Sequence, residues 1–429
     1  MQIESHFAPD VGTASLRAAL AATARQHSAE IVDLTKTLVR IPSAYPPGDT
    51  HAVAAAIAHM FEGVEVDIEH HGTLPHVMNL VIRIRGAKPG RRLVFNGHLD
   101  TFPLVNAAQW TSDPDGEVRD GKLYGLGVSD MKGGVAAIIF AMRQLAMVRD
   151  GFAGEVVATF AGDEESMGME GSGYLLDNVP HAGGDAMICA DAGSPQILRF
   201  GEKGMIWLRL DATGKSAHAA HVHKGDSAIE KLLDTIQAIK SIRDYPVAAP
   251  QAVLDAIAAS TQASEALSGK GESDVLRGVT VTFGTVNGGR LSNLIADEAT
   301  ATADIRLPVG VSVAEIEATL NRIVSQQPGV TMSISRRYEA SWTSPDHEVI
   351  TLLKKQCTDT LGITPVVNMR VGASDSRHYR RHHIPTVVCG LTSYNMGSAD
   401  EHVYVEELCR LGEIFALSAF DYLNHPAAV

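Results

Sequence analysis

A chain of 429 residues, 45% hydrophobic and 20% charged, exceeds one ordinary core and reads as a globular protein of two domains. Its formal charge of −14 excludes nucleic acid as a partner, because gripping phosphates needs a basic surface. No apolar run approaches the ~20 residues of a membrane span, so no membrane segment is expected.

From the N-terminus, residues 1–20 scatter polar and charged side chains among alanines, and no signal peptide is expected. Helical spacing of apolar residues predicts a helix over 15–39 and another over 51–61. Short apolar runs at 79–84, 92–95, 155–160 and 185–189 predict strands, with helices at 135–145 and 171–176 between them. That alternation implies an α/β fold, a sheet with helices on both faces.

The pattern changes after Gly204. Strands that alternate polar and apolar residues are predicted at 205–211, 279–286 and 299–307, with amphipathic helices at 228–242 and 313–324. These describe an α+β unit over 205–335, inserted in a discontinuous domain of 1–204 and 336–429. The Ala/Ser/Gln-rich stretch 248–274 is too weakly patterned to place. Helix 348–361 and strands 365–369 and 385–389 resume the first pattern. Cys189, Cys357, Cys389 and Cys409 lie far apart without a C-x-x-C pair, and Cys189 and Cys389 sit inside apolar strand-like runs, which suits buried thiols better than disulfides and implies a cytoplasmic home.

Acidic and imidazole residues follow the predicted strands of the larger domain. Strand 92–95 runs into Asn96-Gly97-His98-Leu99-Asp100, and strand 155–160 into Ala161-Gly162-Asp163-Glu164-Glu165. Strand 185–189 leads to Asp191, while a glycine-rich loop at 125–129 delivers Asp130 to a helix start. Ligands of open α/β sheets bind beyond the carboxyl ends of the strands, so these groups are expected at one rim. One imidazole among several carboxylates suits zinc foremost, with manganese or cobalt next. Taken singly, each piece has a plainer reading: a capped turn for His98, a solvated face for the glutamates, an N-cap for Asp130. Together they point to a cation, because crowded carboxylates repel one another without one.

The stretches NGHLDTFP (96–103), GLGVSDMKGG (125–134), AGDEES (161–166) and CADAG (189–193) resemble the M20 metallopeptidases, in order and in interval. That family includes aminoacylases, acetylornithine deacetylases, succinyl-diaminopimelate desuccinylases and glutamate carboxypeptidases. The resemblance implies that His98, Asp130 and Asp191 hold one divalent metal and that Asp130 bridges to a second, bound also by Glu165. It makes Glu164 the general base, with Asp100 orienting the His98 imidazole. It implies a homodimer formed through the inserted unit, with His218 reaching the partner's cleft to stabilise an oxyanion. Asn293, Arg306 and Gly372 match positions that hold substrate, often by its carboxylate. His221 and His223 are read as solvated loop histidines.

One position departs from the family. Gly397 stands where a late histidine usually binds the second metal, and His402, five residues on, is the one substitute that segment offers. One firmly held ion and a weak or absent second is therefore expected. The leading expectation is hydrolysis of an amide in an N-acyl amino acid or short peptide carrying a carboxylate. The alternative is a one-metal hydrolytic deaminase, or another non-peptide C–N hydrolase, acting on a small carboxylic acid, aromatic acids included. A non-catalytic binding protein is disfavoured by the retention of Glu164, Asp100 and three ligands. The chain has no complete dinucleotide loop, G-x-S-x-G elbow or Walker loop.

Overall fold

The computed structural model describes residues 11–425; residues 1–10, where any signal peptide would begin, and 426–429 lie outside the described residues. The chain divides into two compact units, Met1–Phe200 with Pro345–Val367 and Ser374–Val429, and Gly201–Ser344 with Asn368–Ala373. The 205–335 segment lies within the second. Among the described residues, no helix is long and apolar enough to cross a membrane.

The first unit is built on a mixed sheet. Its strands run in the order Asp67–Leu74, Val77–Arg85, Ala153–Ala161, Lys88–His98, Ala186–Cys189, Thr386–Val388 and Ile197–Glu202. The centre is parallel: Lys88–His98 pairs with Ala153–Ala161 on one side and Ala186–Cys189 on the other, in a register that sets His98 beside Ala161. A strand buried on both faces shows no polar alternation, and Leu93, Val94 and Phe95 are all fully buried. Val94 faces a cluster with Leu175, Met187 and Tyr379. Phe95 meets Phe415 of helix Val405–Asn424 at 5.2 Å between ring centroids. Helices thus cover both faces, as the α/β pattern predicts.

The predicted helix over 15–39 is two, Val11–His27 and Glu30–Val39. Strands Asp67–Leu74 and Val330–Tyr338 were not predicted. The second unit is an antiparallel sheet in the order Thr280–Gly288, Glu298–Leu307, Gly204–Thr213, Val330–Tyr338. Its buried side chains, among them Ile206, Leu208, Ala301 and Ile305, pack on Leu232, Ile239, Ile316 and Leu320 of helices Ala228–Lys240 and Val313–Ser325. The unplaced stretch holds helices Gln251–Ser268 and Glu272–Arg277. The first of them buries Val253, Ile257, Ser260 and Ser264, a helical stripe that is half serine.

Candidate metal centre

His98 is the last residue of its strand and is buried. Its Nδ1 lies 2.8 Å from the Asp100 carbonyl oxygen and its Nε2 3.0 Å from Asp130 Oδ1. A carbonyl can only accept, so Nδ1 carries a proton and Nε2 is the atom turned toward Asp130. Burial opposes a charge on the ring, but hydrogen bonds to Asp100 and Asp130 outweigh it and hold the imidazole pKa well above its usual value.

Asp130 lies in a tight turn that begins at Gly127, where φ is +70° and a Cβ would collide with Thr101. Only glycine fits there. The turn is braced from far along the chain: the buried Glu401 carboxylate accepts from Gly127 N at 3.1 Å, Ser129 N at 2.9 Å and Ser129 Oγ at 2.7 Å. Lys132 is buried too, its Nζ donating to the Ile41 carbonyl at 2.6 Å. Asp191 follows strand Ala186–Cys189, beside the His98 strand, and is buried. One donor atom from each of His98, Asp130 and Asp191 lies within 4.8 Å of the others, the sole such group of three among the described residues.

Glu164 and Glu165 occupy a short turn after strand Ala153–Ala161. Asn79 pins the start of this loop by accepting from Gly162 N at 2.8 Å and donating to the Glu170 carbonyl at 2.9 Å. The Asp100 carboxylate takes the Glu164 N–H at 3.1 Å and the Glu165 N–H at 2.9 Å. Its nearer oxygen stands 3.5 Å from His98 Nδ1, so the imidazole is oriented chiefly by the Asp100 main chain while the side chain holds the two glutamates. Burial pushes the Glu164 pKa up to about 8, against the pull of His98 and Arg377. Burial and the nearby Asp130 push Glu165 up to about 10. Glu165 Oε1 is buried without a hydrogen-bond partner. An imidazole and two carboxylates converging at this distance, with an orphaned carboxylate oxygen nearby, fit a divalent cation.

His402 opens strand His402–Tyr404, its ring stacks on Tyr394 at 5.1 Å and lies 4.9 Å from Tyr124, and its Nδ1 pairs with the Asp400 carbonyl at 2.9 Å. Neither His402 nor Glu165 belongs to the group of three. Gly397 has φ +67°, and the nearest atom to a Cβ there is Phe102 Cδ2 at 3.9 Å. In the second unit, exposed His218 and Asn293 come together: Ala219 N donates to the Asn293 carbonyl at 2.9 Å, and His218 Nδ1 accepts from Ala220 N at 3.2 Å. Arg306 forms a two-pronged pair with Asp304 at 2.7 and 2.9 Å. Gly372 lies in the 368–373 segment of that unit.

Sequence reasoning missed Glu401, Asp375 and Arg377, all buried. Arg377 Nη1 lies 3.6 Å from Glu164 Oε1. Glu401 stands four residues after Gly397, so its segment was marked while its own role was not.

The profile of Peptidase family M20/M25/M40 matches residues 94–420. A succinyl-diaminopimelate desuccinylase from Cereibacter sphaeroides is 30% identical over 407 residues, which cover 91% of this chain and 98% of the relative. The M20 family metallo-carboxypeptidase Sso-CP2 of Sulfolobus solfataricus superposes with a TM-score of 0.76 at 16% identity, covering 92% of this chain and 99% of that one. Human carnosine dipeptidase 1 gives a TM-score of 0.74 at 16% identity, covering 97% and 100%. At such identities these two structures speak for the fold alone.

Proposed function

The chain belongs to peptidase family M20/M25/M40 and is a hydrolase of amide bonds that uses a divalent metal, and from that premise we propose how its residues divide the work. His98, Asp130 and Asp191 hold the cation, and Glu164 is the general base. The observation that carries this reading is the group of three donors within 4.8 Å. Glu164 beside it is kept at about 8, near the value a proton shuttle needs. When bound, the cation supplies Lewis acidity, polarising a carbonyl and acidifying water to a pKa of about 7. Glu164 takes the proton from the attacking water and passes it to the leaving nitrogen. Asp100 holds the Glu164–Glu165 turn by its two N–H bonds, so the base keeps its distance as the proton moves.

The substrate class is an N-acyl amino acid or a short peptide with a free carboxylate, which the likeness to a desuccinylase supports. Asn293 and Arg306 receive that carboxylate, Gly372 lines the pocket, and His218 stabilises the oxyanion from the partner of a homodimer formed through the second unit. One ion is held firmly, zinc foremost. His402 is engaged in an aromatic stack, and the left-handed φ of Gly397 disfavours any side chain at the usual histidine position. The protein works in the cytoplasm. The 1–204 and 336–429 segments carry the catalytic machinery.

A panel of N-acyl amino acids, dipeptides and aromatic amino acids, assayed with zinc, manganese or cobalt added back, tests this reading. A carboxylic acid and an amine released together, with one ion per chain, is the expected result. Ammonia as product would instead favour the one-metal deaminase that Gly397 makes reasonable.

A further inference from the structure

We propose that Arg377 is a positioning residue, which aims the Glu164 carboxylate and without which the base is present but misplaced. The inference rests on Glu164 being the proton acceptor. Arg377 belongs to helix Ser376–Arg381, whose sequence Ser-Arg-His-Tyr-Arg-Arg has the composition of a solvated basic turn. Instead residues 376–380 are all buried, Arg377 at 3% exposure. Removing a guanidinium from water is costly unless it is paired and hydrogen-bonded, so its position needs a reason.

The geometry supplies one. Nη1 donates to the Ser374 carbonyl at 2.6 Å, which closes a three-residue loop and fixes the plane of the guanidinium. The same nitrogen stands 3.6 Å from Glu164 Oε1. That distance is electrostatic contact, longer than a formed hydrogen bond, so the carboxylate is steered without its lone pairs being consumed. Glu164 is thereby held at both ends, its backbone N–H by Asp100 at 3.1 Å and its carboxylate by Arg377. Asp375 also faces this cation, and it is secured separately by Ser172 Oγ at 2.8 Å. Arginine suits the task where lysine does not, because one planar fork can serve the Ser374 carbonyl and face Glu164 without rotating.

A double-mutant cycle on the full-length, metal-loaded protein tests the proposal, with Glu164→Gln, Arg377→Met, Arg377→Lys and Glu164→Gln/Arg377→Met compared for kcat, KM and bound metal. Arg377→Met should lower kcat roughly 10- to 100-fold, part of the 10²–10⁴ that a positioned base contributes. KM should stay within about threefold and metal content should not change. Arg377→Lys should fall between. The double variant should be no slower than Glu164→Gln alone, because residues acting as a unit are non-additive, whereas a purely structural role would add its loss. If Arg377→Met does not fold, Arg377→Gly with added methylguanidinium decides: recovery of kcat supports the proposal and no recovery overturns it. Losses that add fully, or a raised KM with normal kcat, would also overturn it. Activity retained by Glu164→Gln would remove the base reading, and this inference with it. An inactive Glu164→Gln beside a normal Arg377→Met would remove only the inference.

Discussion

Asp100 offers the sharpest separation between two roles for one residue. If its carboxylate orients the His98 imidazole, Asp100→Ala should loosen the metal by the 10- to 100-fold usual for a lost outer partner. The structure predicts otherwise, because the 2.8 Å bond to Nδ1 comes from the Asp100 main-chain oxygen, which alanine retains. What alanine removes is the acceptor for Glu164 N at 3.1 Å and Glu165 N at 2.9 Å. Hydrogen bonds to a charged group contribute about 1.5–3 kcal/mol each, so the pair amounts to about 3–6 kcal/mol before the turn relaxes or water enters. If about 2 kcal/mol of that appears as displacement of Glu164, kcat falls roughly 30-fold. Asp100→Asn keeps one acceptor oxygen and should lose about half as much in free energy. Steady-state kinetics at saturating metal, alongside competition with a chelator for metal affinity, measure the two effects separately. The reasoning is refuted if Asp100→Ala weakens metal binding 10- to 100-fold while its metal-saturated kcat stays within threefold of the parent.

Two further outcomes follow from packing and from charge. A Cβ on Gly390 would collide with the Asp191 carbonyl and stand 2.5 Å from that of Ala190, so Gly390→Ala should cost on the order of 3 kcal/mol in urea unfolding and weaken metal binding. Gly284→Ala, whose Cβ meets nothing nearer than Thr302 Oγ1 at 3.8 Å, should fold with little change, and equal unfolding midpoints for the two variants would contradict this account. His378 is held down at about 3 by burial and by Arg377, so it stays neutral in the fold while the unfolded chain takes up a proton below about 6.5. Its stability contribution is full above that pH and is lost as pH falls toward the folded value, by about 2 kcal/mol between pH 6.5 and 5. His378→Gln should flatten that part of the stability–pH curve; an unchanged slope in urea titrations at pH 5 and 7 would count against it.

What could be read in advance followed from local pattern. Strands 88–98, 153–161 and 186–189 announce themselves because burial on both faces leaves unbroken apolar runs, and the polar residues that end them stand out. Edge strand Asp67–Leu74, with its histidines and glutamate and no buried residue, carries no such mark. Helix Gln251–Ser268 escaped because Ser260 and Ser264 complete its buried stripe, and periodicity scores them as polar. Glu401 and Arg377 escaped for a different reason. Each is a charged side chain buried by a partner from a distant part of the chain, and local sequence gives every charge a solvated reading. The division of Asp100 between main chain and side chain depends on distances of tenths of an ångström, which motif spacing does not encode.

The Glu401 brace has a consequence for the order of events in synthesis. The turn that presents Asp130 is tied down by bonds spanning 272 and 274 residues. On a ribosome, the first two hundred residues can pair their strands while that turn still lacks its anchor. Productive cation capture is therefore a late step, reserved for a polypeptide from which Glu401 has emerged, and a product terminated before that residue would leave its acidic rim unfinished.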